Sequence, residues 1–307
     1  MDQQQRQGYL FALTAFTLWA IGPVYFKWVG ALPALDILAY RVVWSLVLTL
    51  IIIALSRRWR PLWSALCNPK IRLSLLASSL IIGTNWGVFI WAINDNQMLS
   101  ASLGYYINPL INILLGMIFF AERLDRIKKI AAALCLIAVL FELIRFGELP
   151  WVALALATSF GLYGLVRKKL AVDSFVGMAL ETGLLLPIAL IYLLFATSSS
   201  ANFFTNDPFT NFQLFIAGPV TMIPLICFAA AANRMPLSTI AFFQYIGPSG
   251  MFLLAVFVYN EPLEPAKLVT FGIIWSALAL LVWDGVHKLR LQRRSADALR
   301  LSDSLAP

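Results

Sequence analysis

Charge is scarce in this chain. Only 12% of its 307 residues are Asp, Glu, Lys or Arg, while 61% are hydrophobic, against roughly a quarter and a half in a soluble domain. So little polar surface excludes a water-soluble globule, because the apolar segments must face lipid as well as one another. Histidine occurs once, at His287, and cysteine three times, at Cys67, Cys135 and Cys227. That inventory excludes a clustered His/Cys metal centre. No Gly-x-x-x-x-Gly-Lys stretch is present, so phosphate-loop ATP hydrolysis is excluded as well. No cofactor is expected. With two cysteines in apolar runs and Cys67 in a connection, no disulfide is expected either.

What the chain does contain is a series of apolar runs of about 20 residues, the length of a helix that spans a bilayer. They predict an all-α membrane protein of ten transmembrane helices near 8–28, 35–55, 71–94, 99–120, 127–144, 148–168, 175–197, 212–233, 238–258 and 266–284. Only Arg145 to Glu148 and Pro150 separate the fifth run from the sixth. A single long helix there would give nine spans; the proline favours two. The first run carries Trp19, Tyr25 and Trp28 and no small-residue cleavage site, so it reads as a retained helix, not a secretory signal.

Orientation follows from the basic residues, since positively charged connections stay in the cytoplasm. With the amino terminus inside, all but four of the 23 basic residues fall on the cytoplasmic side, the exceptions being Lys27, Arg41, Arg145 and Lys267. The expectation is a multi-pass protein of the bacterial inner membrane with both termini cytoplasmic. The net charge of +8 is then explained by these connections and anionic lipid headgroups, and no nucleic-acid partner is expected. The basic tail, 285–307, alternates leucine with arginine from Val286 onward. It is predicted to lie on the membrane surface or to be disordered.

A shift of 139 residues exposes an internal repeat. Over 36 ungapped positions it gives ten identities, among them Asn94 with Asn233, Tyr106-Ile107 with Tyr245-Ile246, Pro109 with Pro248, and Glu122-x-Leu124 with Glu261-x-Leu263. A looser echo sets Trp19-Ala20 against Tyr163-Gly164. Five helices per half is an odd number, so the second copy enters the membrane inverted. The expected organisation is two inverted five-helix repeats, 8–144 and 148–284, followed by the tail.

An aromatic-small pair early in each half, and a proline followed 13 residues later by glutamate at the end of each fourth repeat helix, resemble the drug/metabolite transporter superfamily and its EamA-type domains. Within it, Tyr105-Tyr106-Ile107-Asn108-Pro109-Leu110, Gly116 and Glu122-Arg123-Leu124 resemble the RarD branch. The resemblance extends from about Gly8 to Trp283. It implies an inner-membrane permease, commonly an exporter of metabolites or drugs, with a substrate cavity between the halves. Gly247 replaces Asn108 in the second half, which implies a less polar cavity face there.

Polar groups deep in lipid are costly and usually face a cavity or a partner. Tyr105, Asn108 and Asn112 follow i, i+3, i+7 spacing and form one helical stripe. Asn85 and Trp86 sit mid-span in the third helix, and Gln244 and Tyr245 precede Pro248 in the ninth. These seven are the candidate substrate-binding residues. The alternative is that they bond to neighbouring helices. Pro109 and Pro248 each remove a backbone hydrogen bond and expose a carbonyl, or else only shape packing. Arg41 and Glu181 are the charges most clearly inside apolar runs. The topology sets them about 12 Å apart in depth, so they read as pseudosymmetric cavity, gating or coupling residues and not as a bonded pair. The alternative has Arg41 snorkelling outward and Glu181 bonded locally. Glu122 and Glu261 are expected to be structural, and Gly83-x-x-x-Gly87 to mark close helix packing.

Two other classes compete with transport. Gly247-Pro248-Ser249-Gly250 resembles the serine turn of rhomboid intramembrane proteases, but a general-base histidine in a neighbouring span is missing. A membrane receptor or assembly factor would not need two inverted copies with a polar seam. The expected partners are a small-molecule substrate and membrane lipid, and a homodimer is compatible with the sequence.

Overall fold

The computed structural model describes residues 3–29, 32–94, 98–146, 151–197, 201–259 and 265–305. Among them are twelve helices: α1 (Gln3–Trp28), α2 (Ala34–Leu55), α3 (Trp59–Cys67), α4 (Pro69–Asn94), α5 (Met98–Phe120), α6 (Arg126–Phe146), α7 (Trp151–Leu170), α8 (Ser174–Phe195), α9 (Pro208–Ala232), α10 (Leu237–Gln244), α11 (Ile246–Phe257) and α12 (Pro265–Leu305). Seven stretches, in α1, α2, α4, α8, α9, α10–α11 and α12, are long and apolar enough to cross a bilayer. The chain is a multi-pass membrane protein.

Three expectations need correcting. The connection assigned to Cys67 contains α3, a surface helix that buries Leu62 and Ala65 and exposes Trp59 and Trp63. The expected ninth helix breaks at Tyr245 into α10 and α11, because Pro248 cannot donate to the carbonyl of Gln244. Pro109 removes the equivalent bond yet leaves α5 continuous. The tail continues α12 as helix to Leu305, against its expected disorder though compatible with a place on the membrane surface, since no proline or glycine follows Gly285 before Pro307. Helices α6 and α7 are described on either side of 147–150, and the expected break between the fifth and sixth runs falls on those four residues, outside the description. Glu148, Pro150 and Glu261 lie outside the described residues, as do the side chains of Asn94, Lys267 and the tail from Lys288.

Pro69 and Pro208 open α4 and α9, 139 positions apart. The chain forms two compact units, a larger one of Gln4–Glu122 with Leu149–Glu261 and a smaller one of Met1–Gln3, Arg123–Glu148 and Pro262–Pro307. Repeat-equivalent helices pack on one another: α2 on α8 and α5 on α10 in the larger unit, α6 on α12 in the smaller. The centre of the larger unit is aromatic. Trp19 of α1 and Tyr163 of α7, the two echoed aromatics, both lie against Phe228 of α9, at 6.1 and 6.0 Å between ring centroids.

Local caps fix several helix ends. Asp173 and Asp207 accept the first free amides of α8 and α9. Pro236, at the start of α10, has no side-chain acceptor to offer, and Glu122 fills that role from beyond the end of α5. Its carboxylate accepts the amides of Leu237 and Ser238 at 2.7 and 2.8 Å and lies 3.4 Å from Lys168 Nζ. A Cβ at Gly116 would collide with this carboxylate. Burial raises the Glu122 pKa, but the Ser238 and Leu237 bonds and Lys168 outweigh it, and the carboxyl sits below its ordinary value. Its stabilisation is therefore complete at neutral pH and is lost as pH falls through the lowered value. Glu122→Gln is expected to cost about 1–2 kcal/mol. Thermal melts of purified protein should show the loss at pH 7 and a smaller difference from wild type in acid.

Candidate functional site

Two polar layers cross the larger unit. The first joins α5, α7 and α10. Asn108 donates to the carbonyl of Ala157 at 2.7 Å, Asn112 donates to Asn108 Oδ1 at 3.1 Å and to Gln244 Oε1 at 2.8 Å, and Gln244 closes the triangle on Asn108 Oδ1. All three amides are buried, and Asn112 Oδ1 is enclosed with no hydrogen-bond partner. Tyr245 is fully buried and reaches the carbonyl of Tyr106, its repeat counterpart. Asn85 ties α4 to α7 through Leu156 O and Ser159 Oγ, at 3.0 and 2.8 Å. Of the expected stripe, Asn108 and Asn112 therefore share a network with Gln244. Tyr105 does not join it: its ring is 41% exposed and lies edge-on to Phe89.

The second layer holds the two intramembrane charges. Arg41 Nε donates to Thr221 Oγ1 of α9 at 2.6 Å, and its guanidinium lies 5.2 Å from the centroid of Trp86 and 5.8 Å from that of Phe26. Glu181 is buried against Arg167 Nη1 at 3.6 Å, and accepts hydrogen bonds from Ser78 and from Tyr163, the latter at 3.3 Å. Arg41 and Glu181 occupy different levels, since their α4 neighbours Trp86 and Ser78 are eight residues, about 12 Å, apart along that helix. The partner of Glu181 is Arg167.

Arg167, counted with Lys168 and Lys169 among the basic residues expected on the cytoplasmic side, does not lie in a solvated connection. Its side chain is 2% exposed and turns back into the bundle, where Nε and Nη1 have no hydrogen-bond partner. The space it fills is the one a Cβ at residue 177 would take, so Gly177 is the position that admits it. The Gly83-x-x-x-Gly87 expectation holds at one end only. A Cβ at Gly83 would press on Leu185, while one at Gly87 would meet nothing within 4 Å among the described residues. Ser78 and Thr221 have nothing in their local spacing to mark them, and Tyr163, marked only as the echo of Trp19, was not expected at Glu181. No group of three or more potential metal ligands occurs among the described residues.

The arrangement brings together amides, a cation, a bridged acid and aromatic faces. Ser249 lies in the first turn of α11, and His287 stacks on Trp283.

Comparison with known proteins gives a consistent result. Residues 6–144 match the EamA-like transporter family. An uncharacterized transporter of Vibrio cholerae is 51% identical over 296 residues, covering 96% of this chain and 98% of that protein. Protein RarD of Escherichia coli K12 is 49% identical, covering 94% and 99%. The chloramphenicol-sensitive protein RarD of Pseudomonas aeruginosa is 32% identical, covering 94% and 97%. A solved crystal structure with 17% identity superposes with a TM-score of 0.71 over 90% of this chain and 97% of that one, a likeness of fold.

Proposed function

The chain belongs to the EamA-type drug/metabolite transporter superfamily in its RarD branch, a family of small-molecule membrane transporters, and from that premise we propose alternating access by two inverted five-helix halves. The observation that carries this reading is the packing of repeat-equivalent helices on one another, α2 on α8 and α5 on α10, an arrangement open to helices beside a two-fold axis between halves. Ten crossings follow when α10 and α11 count as one and α3 lies on the surface. The Asn108–Asn112–Gln244 seam supports movement, because an enclosed amide oxygen without a donor is a cost that a second arrangement can relieve. Tyr105, Asn108, Asn112, Asn85, Trp86, Gln244 and Tyr245 are proposed to border the path. Arg41, Glu181, Pro109 and Pro248 are proposed to gate or couple it, with the freed carbonyls of Tyr105 and Gln244 as its backbone elements. The substrate is a metabolite or drug, export from the cytoplasm is the direction, and the location is the bacterial inner membrane.

Reconstitution in liposomes with a panel of amino acids, organic acids and antibiotics tests the function. Saturable, protein-dependent flux of at least one compound is expected, and a panel that crosses no faster than in empty liposomes counts against transport. Topology is tested separately. Reporter fusions at Arg300 and Asn206 are expected on the inside and the outside respectively. Both reporters on one side would sink the ten-span arrangement.

A further inference from the structure

Arg41 is held by one nitrogen. Nε is engaged by Thr221, whereas Nη1 and Nη2 make no hydrogen bond among the described residues, and neither is a buried orphan of the kind Arg167 presents. The guanidinium is ringed by α1 through Phe26, by α4 through Trp86 and by α9 through Thr221. The phenols of Tyr25 and Tyr105 lie within its electrostatic reach. Contacts on so many helices turn the side chain into the bundle. No carboxylate pairs with it among the described residues, in contrast to Arg167 with Glu181. A partly buried cation inside an apolar bundle, with two parallel donors open, is a site whose counter-charge arrives from outside the protein.

We infer that Arg41 is the anchor for a carboxylate on the transported molecule, whose apolar or aromatic body rests on the rings of Trp86, Phe26 and Tyr105. The fork geometry of the two Nη groups fits the two oxygens of a carboxylate. One guanidinium matches one negative charge, which favours a monoanionic carboxylate over a phosphate dianion. Thr221 fixes the plane of the fork by holding Nε. Aromatic edges and the phenol hydroxyls then select for a flat body beside the charge. The inference rests on the transport reading and narrows it to monocarboxylates with an apolar body.

Binding separates the two claims, because it is measured without flux. Purified full-length protein in nanodiscs is titrated with 3-phenylpropionate, 3-phenylpropionamide and phenyl phosphate, read by tryptophan emission and thermal shift. The carboxylate is expected to bind saturably and about tenfold or more tighter than the amide. Arg41→Gln is expected to abolish that preference and Arg41→Lys to retain part of it. Thr221→Val, which frees the fork without removing it, is expected to weaken binding less than Arg41→Gln and serves where Arg41→Gln does not fold. Equal binding of acid and amide, tighter binding of phenyl phosphate, absence of saturable carboxylate binding, or an undiminished preference in Arg41→Gln would each overturn the inference. Carboxylate binding with no flux of any compound in liposomes would leave the anchor standing and count against transport, while flux of neutral compounds alone would do the reverse.

Discussion

Arg167→Met is expected to lose about 3–5 kcal/mol of stability, the cost of leaving a buried charge without its partner. Arg167 and Glu181 are 2% and 4% exposed, so water cannot replace the missing ion. Ser78 and Tyr163 still donate to the carboxylate, which places the loss toward the lower end of that range. The double variant Arg167→Met/Glu181→Met removes both charges and is expected to recover most of the loss. Gly177→Ala is expected to resemble Arg167→Met, since the new methyl group takes the space of the guanidinium. Melting temperature in detergent, followed by size-exclusion chromatography, reads all three. A double variant no more stable than the single one would show that the bridge is not what holds α7 to α8. The same pair bears on coupling. A proton taken up by Glu181 has to compete with Arg167, so Glu181→Gln is expected to remove any response of flux to an imposed pH gradient. A response that survives the substitution would place the proton elsewhere.

The difference between what the sequence disclosed and what it hid lies in how each feature is encoded. Apolar run length is local and continuous, and α1, α2, α4, α5, α8 and α9 lie close to the expected spans. The 139-residue offset is legible because Tyr106, Pro109 and Asn94 are scarce residue types in an apolar chain and recur at it. Partnerships were not legible. Arg167 stands beside Lys168 and Lys169 at a helix end, where three basic residues in succession read as a solvated terminus. Only the absence of a side chain at Gly177, ten positions away on another helix, lets it turn inward. Glu122 was recognised as structural, yet its role as the cap of α10 depends on Pro236 offering no acceptor. That relation spans two halves of the chain and has no local pattern. Asn108 and Asn112 announced themselves by spacing, while Tyr105 at the same spacing turned toward Phe89, because a long ring is directed by its neighbours as much as by helix phase.

The seam between α5 and α10 is where alternating access is most directly testable. Interhelical hydrogen bonds in membranes are each worth about 0.6–2 kcal/mol. Asn108→Leu removes one acceptor shared by Asn112 and Gln244 and one donor to Ala157, so it is expected to leave folded protein while lowering flux about tenfold or more, on the scale of one buried polar group left unpaired. Unchanged affinity and rate would reduce the seam to packing. Rocking of one half against the other makes a further demand, since closing one mouth opens the other. In a background with Cys67, Cys135 and Cys227 replaced, Phe120→Cys reports the end of α5 beside Lys168, and Leu254→Cys reports the far portion of α11. Substrate is expected to change their labelling by a water-soluble maleimide in opposite directions. The proposed inversion of the two halves would require this, because equivalent helices would then end at opposite faces and exchange environments during transport. If both cysteines gain reactivity together in one state, the path is open at both ends and the molecule is a channel.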